Sequence, residues 1–164
     1  MITISDHITY DEAVYSNTAK VNHILNIPSA DVIKNMQLVA SKIFEPVRNH
    51  FRTPIKVSSF FRCAALNKAI GGAITSQHVY GQAIDMDGDV FGSPSNKAIF
   101  EFIRDTLDFD QLIVEGIHDG KMDWVHCSYK NAGNRNQILF MYIDSTGRKV
   151  YENYNLNRYQ KLIK

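Results

Sequence analysis

The sequence predicts an α+β fold, with helices packed on one side of a small antiparallel sheet. Three observations predict it. Apolar stripes of helical period fill the first half of the chain, and alternating segments cluster in the second. No repeat, low-complexity tract or flexible linker divides the chain, so one domain over 1–164 is expected.

Residues 1–28 form a polar lead-in, where Thr9 followed by Glu12 fits a capping box at the start of a short helix. From Ser29 onward, Val32, Met36, Val39, Ile43 and Val47 recur at spacings of three and four, the period of an amphipathic helix. Pro46 is expected to kink or end that helix, because it lacks a donor and its ring crowds the preceding turn. Thr53-Pro54 reads as a turn and 55–58 as a strand. Residues 63–70 read as a short helix closed by Gly71-Gly72. A loop over 75–81 leads to a strand at 82–87. Ser93-Pro94 then reads as the opening of a helix whose stripe is Ile99, Phe102, Ile103 and Leu107. Strands follow at 109–115, 124–129 and 137–143. A turn at 144–147 makes a C-terminal hairpin with 149–154, within a terminal segment over 137–164.

Composition removes several function classes. The chain has 164 residues, with 18 Lys+Arg against 17 Asp+Glu and a net charge of +1, which argues against binding driven by phosphate neutralisation and so against a nucleic-acid partner. Two distant cysteines, Cys63 and Cys127, do not make a disulfide scaffold or a CxxC unit. No apolar run approaches the roughly 18 residues of a membrane helix, so membrane insertion is not expected. The N-terminal stretch has neither the basic nor the apolar region of a secretory signal. A monomer is expected.

Six histidines carry most of the chemical information. The chain has no HExxH, GxxxxGK[ST], GxSxG or GxGxxG motif. Asp85 to Asp89 fails as a calcium loop, because Val90 holds the sixth position and Asn96 the twelfth. The stretch Ser76-Gln77-His78-Val79-Tyr80-Gly81-Gln82-Ala83-Ile84-Asp85 stands out, joined by Asp123-Trp124-Val125-His126. His78, Asp85 and His126 offer two imidazoles and a carboxylate. That set suits a catalytic Zn²⁺ with its fourth position left for water. His78 and Asp85 are seven residues apart and would face opposite sides of one unbroken strand, so Gly81 is expected to supply a bend. Asp123, three before His126, must stand at the start of a strand to act as a base on a water that the metal acidifies. Arg62 is the best candidate to hold a substrate carboxylate or to stabilise an oxyanion.

Ser59-Phe60-Phe61-Arg62, the segment from Leu66 to Gly72, SQHVYGQAID and DWVHCSY together resemble the zinc D-Ala-D-Ala carboxypeptidase family of metallopeptidases. The nearest branch holds bacterial carboxypeptidases and phage-type endolysins. The vancomycin-resistance dipeptidases and the Hedgehog signalling domain are more distantly similar. The resemblance covers roughly 35–130. It implies zinc ligands at His78, Asp85 and His126, a catalytic carboxylate at Asp123 and a substrate-binding or oxyanion-stabilising Arg62. It implies a peptidase acting on peptidoglycan stem peptides, either at L-Ala-D-Glu or at D-Ala-D-Ala. A phage-type lytic enzyme of this kind would wait in the host cytoplasm before release to the wall. DQLIVEG also matches the family pattern, and Gln111 and Glu115 read as supports behind the ligands. Phe61 stands where many members have tyrosine.

Alternative readings stay beside these. His7, His23, His50 and His118 read as bystanders, Asp87 as a weaker candidate ligand, and both cysteines as packing residues. Tyr80 and Trp124 read equally as cleft lining or as packing. A non-catalytic, metal-stabilised binding module or a virion structural component with the same fold would share these residues.

Overall fold

A computed structural model describes residues 3–164; the first two residues of the expected lead-in lie outside the described residues. Two short helices come first, α1 (Tyr10–Val14) and α2 (Asn17–Val21). Thr9 Oγ1 accepts from the Glu12 amide at 3.2 Å, the N-cap bond of the expected capping box. The amphipathic segment forms α3 (Ala30–Val39), capped by Ser29, and continues through α4 (Glu45–Phe51). Pro46 neither ends nor breaks this run, contrary to expectation. Residues Ala40–Phe44 form a π turn that widens the helix just before the proline, and the Glu45 amide bonds back to the Ala40 carbonyl. The wider turn accommodates a ring that an uninterrupted α-helix would crowd.

The strands are β1 (Lys56–Ser59), β2 (Ala83–Asp87), β3 (Gln111–Glu115), β4 (Trp124–Ser128), β5 (Gln137–Ile143) and β6 (Lys149–Asn153). They form one sheet in the order β1-β2-β4-β3-β5-β6. The sheet is mixed rather than purely antiparallel, because β3 and β5 run parallel with Gln111 opposite Gln137 and Glu115 opposite Met141. The reason is the connection: β4 returns on one side of β3, so the chain crosses over and lays β5 on the other side. The C-terminal hairpin forms as expected, with Met141 opposite Tyr151.

The two faces of the sheet have different chemistry, as strand alternation requires. Ile84, Met86, Leu112, Val114, Val125, Cys127 and Phe140 belong to the main buried core, together with Met36, Val39 and Ile43 of the long helical run. The helix α6 (Asn96–Thr106) also packs into this core, through Ile99, Phe100 and Ile103. Its cap is Ser95 rather than Ser93, and Phe100 takes the core position that periodicity assigns to Phe102. Phe102 is instead half-buried and stacked on His50 at 4.1 Å between ring centroids. A final helix, α7 (Leu156–Leu162), goes beyond the elements expected; it returns Tyr159 to the core against Phe100, at 5.1 Å between rings. The opposite face of the sheet carries Asp85, His126 and Glu115, with a small apolar cluster of Ile113, Leu139 and Met141.

Candidate metal centre

His78, Asp85 and His126 converge on that open face. Asp85 and His126 are cross-strand partners on β2 and β4, so the sheet register sets their separation. His78 comes from a single 3-10 turn, Gln77–Tyr80, between the helix α5 (Ala64–Ala69) and β2. Gly81 ends this turn at φ +67°, a left-handed conformation that reverses the chain before β2 begins. A Cβ there would also stand 2.7 Å from the Val32 carbonyl oxygen of α3.

The trio is buried, at 1% exposure for His78 and 7% for Asp85 and His126. His126 Nδ1 lies 2.8 Å from Asp85 Oδ1. His78 Nε2 lies 3.2 Å from that same oxygen and 3.2 Å from His126 Nδ1. The edges of a tetrahedron of ligands around a zinc ion at about 2.0–2.1 Å are about 3.3 Å long, so the three atoms fit a metal of this class. His78 Nδ1 donates to the Phe60 carbonyl oxygen at 2.7 Å, which leaves the Nε2 lone pair aimed at the other two groups. Burial holds His78 below the ordinary imidazole pKa. Burial also opposes charge on Asp85, but the two histidines outweigh it and hold the carboxyl well below the usual range. Burial works against a charged His126 as well, yet its bond to Asp85 holds it above the ordinary value.

A cavity of about 420 Å³ opens beside the trio, and a second of about 400 Å³ shares Arg62, Asp85 and Trp124 with it. Asp85 is the member of the trio that lines both cavities. Arg62 faces Asp85, Glu115 and Tyr151, and burial lowers its pKa. Its Nε is buried without a hydrogen-bond partner among the described residues.

Asp123 stands just before β4, as its spacing requires, and its amide bonds the Glu115 carbonyl at 2.9 Å. Its carboxylate lies over Gly116 and turns to His118 Nδ1 at 3.3 Å. It is not among the residues lining either cavity around the trio. Besides Asp85, the carboxylate that lines the cleft is Glu115, whose Oε2 accepts from Trp124 Nε1 at 2.9 Å. Burial pushes the Glu115 carboxyl above the ordinary range; the Asp85 charge adds to this and His126 opposes it.

The remaining candidates lie outside the trio. Asp87 Oδ1 accepts from Asn96 Nδ2 at 3.1 Å. Cys127 faces the core, where burial pushes its thiol up, and Cys63 caps α5. Trp124 lines the cleft, whereas Tyr80 is exposed. His7 pairs with Glu45, and His118 lies beside Asp123.

Two supports escape the sequence pattern. Asp110 is fully buried and accepts from Gln77 Nε2 at 3.0 Å, Arg135 Nε at 3.0 Å and Arg135 Nη2 at 2.6 Å, with Lys130 Nζ at 2.9 Å. It ties the turn that carries His78 to the start of β3 and to the 130–135 loop. Buried Asn96 donates from Nδ2 to the carbonyls of Met122 and Asp123, at 3.2 and 3.0 Å, and so fixes the backbone from which β4 starts. Both are side chains whose partners are distant in sequence, which local patterns do not reveal.

A buried His/Asp/His trio on the open face of an α+β sheet could hold a metal ion, as in a metal-dependent hydrolase. The chain matches the family model described as Peptidase M15 over residues 6–128, three-quarters of its length, and it belongs to that metallopeptidase family. A comparison with curated proteins finds no match.

Proposed function

We propose that the protein is a zinc peptidase that cleaves peptidoglycan stem peptides, with His78, Asp85 and His126 as the metal ligands. The observation that carries this reading is the spacing of the three ligand atoms, 2.8 to 3.2 Å apart in a buried site beside an open groove. Held by those three residues, Zn²⁺ would supply a Lewis acid for the scissile carbonyl and would make a neighbouring water acidic. Asp123 takes the proton from that water and returns it to the leaving amine, after its carboxylate swings from His118 toward the cleft. Arg62, which lines the cleft, holds a substrate carboxylate or the developing oxyanion through its guanidinium. The bond cleaved is L-Ala-D-Glu or D-Ala-D-Ala, the two that the resemblance implies. The resemblance supports a phage-type lytic role.

Mass spectrometry of peptidoglycan fragments after digestion with zinc-loaded protein tests the reading, with His126→Ala as the control. New stem-peptide termini that vanish in the variant are the expected result, and an unchanged digest sinks it. A second reading exchanges the proton carrier. Glu115 is the half-buried carboxylate beside the trio that lines the cleft, with a raised pKa suited to proton transfer. Asp123→Asn and Glu115→Gln separate the two: the true carrier loses about 10²–10⁴-fold in kcat, while its zinc content stays unchanged.

A further inference from the structure

The family match ends at residue 128, yet part of the cleft wall lies beyond it. Lys149 and Tyr151 of β6 line the same cavity as His78 and Glu115. Register explains this: Trp124, Glu115, Met141 and Tyr151 form one row across four strands, and Lys149 opposite Ile143 stands one alternation further along the same face. The lining cations are not equivalent. Arg135 is held by Asp110, and Arg62 faces Asp85, Glu115 and Tyr151. Lys149 is exposed and forms no ion pair among the described residues. An ammonium offers three donors and no acceptor, and the Tyr151 hydroxyl beside it can donate as well. Burial together with Glu115 and Asp85 raises the Tyr151 pKa, which keeps that proton on the ring oxygen.

We propose that Lys149 and Tyr151 form a subsite for a carboxylate of the substrate, and that this subsite determines which peptides are accepted. The proposal rests on the reading of the cleft as a peptide site. Lys149 lies three strand spacings from His126, about 14 Å at about 4.8 Å each, and four residues along β6 from the row of His126, Ile113, Leu139 and Asn153, about 13 Å more. The carboxylate read here therefore belongs to a residue remote from the scissile bond rather than to one beside it.

The test uses synthetic stem tetrapeptides in which each free carboxylate is replaced in turn by a carboxamide. Trp124 is the chain's single tryptophan and lines the cleft, so its fluorescence reports binding with or without zinc and independently of cleavage. In the wild type, one carboxamide replacement is expected to weaken binding about five- to tenfold. Lys149→Met loses that discrimination, Lys149→Arg keeps it, and the loss in turnover falls on KM. Equal binding of all peptides by the wild type overturns the proposal. So does discrimination that survives in Lys149→Met, the outcome expected if the lysine only balances Glu115. Absence of any fluorescence change with every peptide overturns it as well. Discriminating binding without cleavage upholds the subsite and instead counts against the peptidase reading.

Discussion

Asp85 and His126 are cross-strand partners whose side chains meet at 2.8 Å on the face of the sheet that the helices leave open. Their register is held from behind. Ile84 and Met86 on β2, and Val125 and Cys127 on β4, are all fully buried. A slip of one residue would drive both polar groups into that core. The carboxylate is the one formal negative charge in the trio, so Asp85→Asn removes the charge that favours a dication while keeping the shape. Zinc bound at equimolar metal is expected to fall from about one ion per chain to less than about a tenth. Elemental analysis after gel filtration measures it, and full retention of zinc would remove Asp85 from the ligand set.

Metal binding to the folded state alone stabilises it by mass action. At free zinc about 100-fold above the dissociation constant this contributes about 2.7 kcal/mol. For a chain of this size that raises the melting temperature by about 5 to 10 °C. Calorimetry of chelator-treated protein, before and after zinc is restored, should show that step, and His78→Ala should abolish it. An unchanged transition would mean that the trio takes no metal.

Asp110 gives a pH dependence with a definite sign. Burial raises its pKa, but bonds from Arg135, Lys130 and Gln77 outweigh it, so the folded value lies well below the usual carboxylate range. A depressed folded pKa contributes stability that is fully present above the unfolded value, about 3.9, and is lost as pH falls below it. Asp110→Asn should therefore cost about 1–3 kcal/mol at neutral pH, the partners being partly exposed. That difference should shrink as both proteins are acidified below about pH 4. Urea unfolding at pH 7 and pH 3 checks it; a cost that persists undiminished at pH 3 assigns the loss to packing.

The α+β class, the six strands and the residues of the trio are legible in the sequence, because these depend on local period and on short motifs. What the sequence withholds depends on long-range pairing. The parallel β3–β5 contact is a choice of neighbour that alternation within a strand cannot express. Phe100 and Phe102 both fit a helical stripe, and the position of His50 decides which of them packs outward. Spacing to His126 singles out Asp123, whereas its rotamer answers to His118, a residue that spacing leaves aside. Lys149 and Tyr151 enter the cleft only because the crossover carries β5 and β6 onto the same sheet.

Gly81 is where sequence spacing and three-dimensional packing make one requirement. Its φ of +67° brings His78 and Asp85 to one point, and its missing side chain admits the α3 backbone. An alanine there would meet left-handed strain of about 1–2 kcal/mol. Its Cβ would also stand 2.7 Å from the Val32 carbonyl oxygen and 2.9 Å from Met36 Cγ, contacts that force the helix away. Gly71 provides the control, because it has the same φ of +67° and a methyl group there would meet nothing within 4 Å. Gly71→Ala should therefore lose only the strain, and Gly81→Ala about 1–3 kcal/mol more. Because the 3-10 turn would shift with the helix, Gly81→Ala should also bind zinc more weakly, while Gly71→Ala should bind it as the wild type does. Urea midpoints and zinc titrations on the pair decide this. Equal stability losses in the two variants would show that α3 yields to the extra methyl, and that backbone conformation alone makes glycine necessary beside His78.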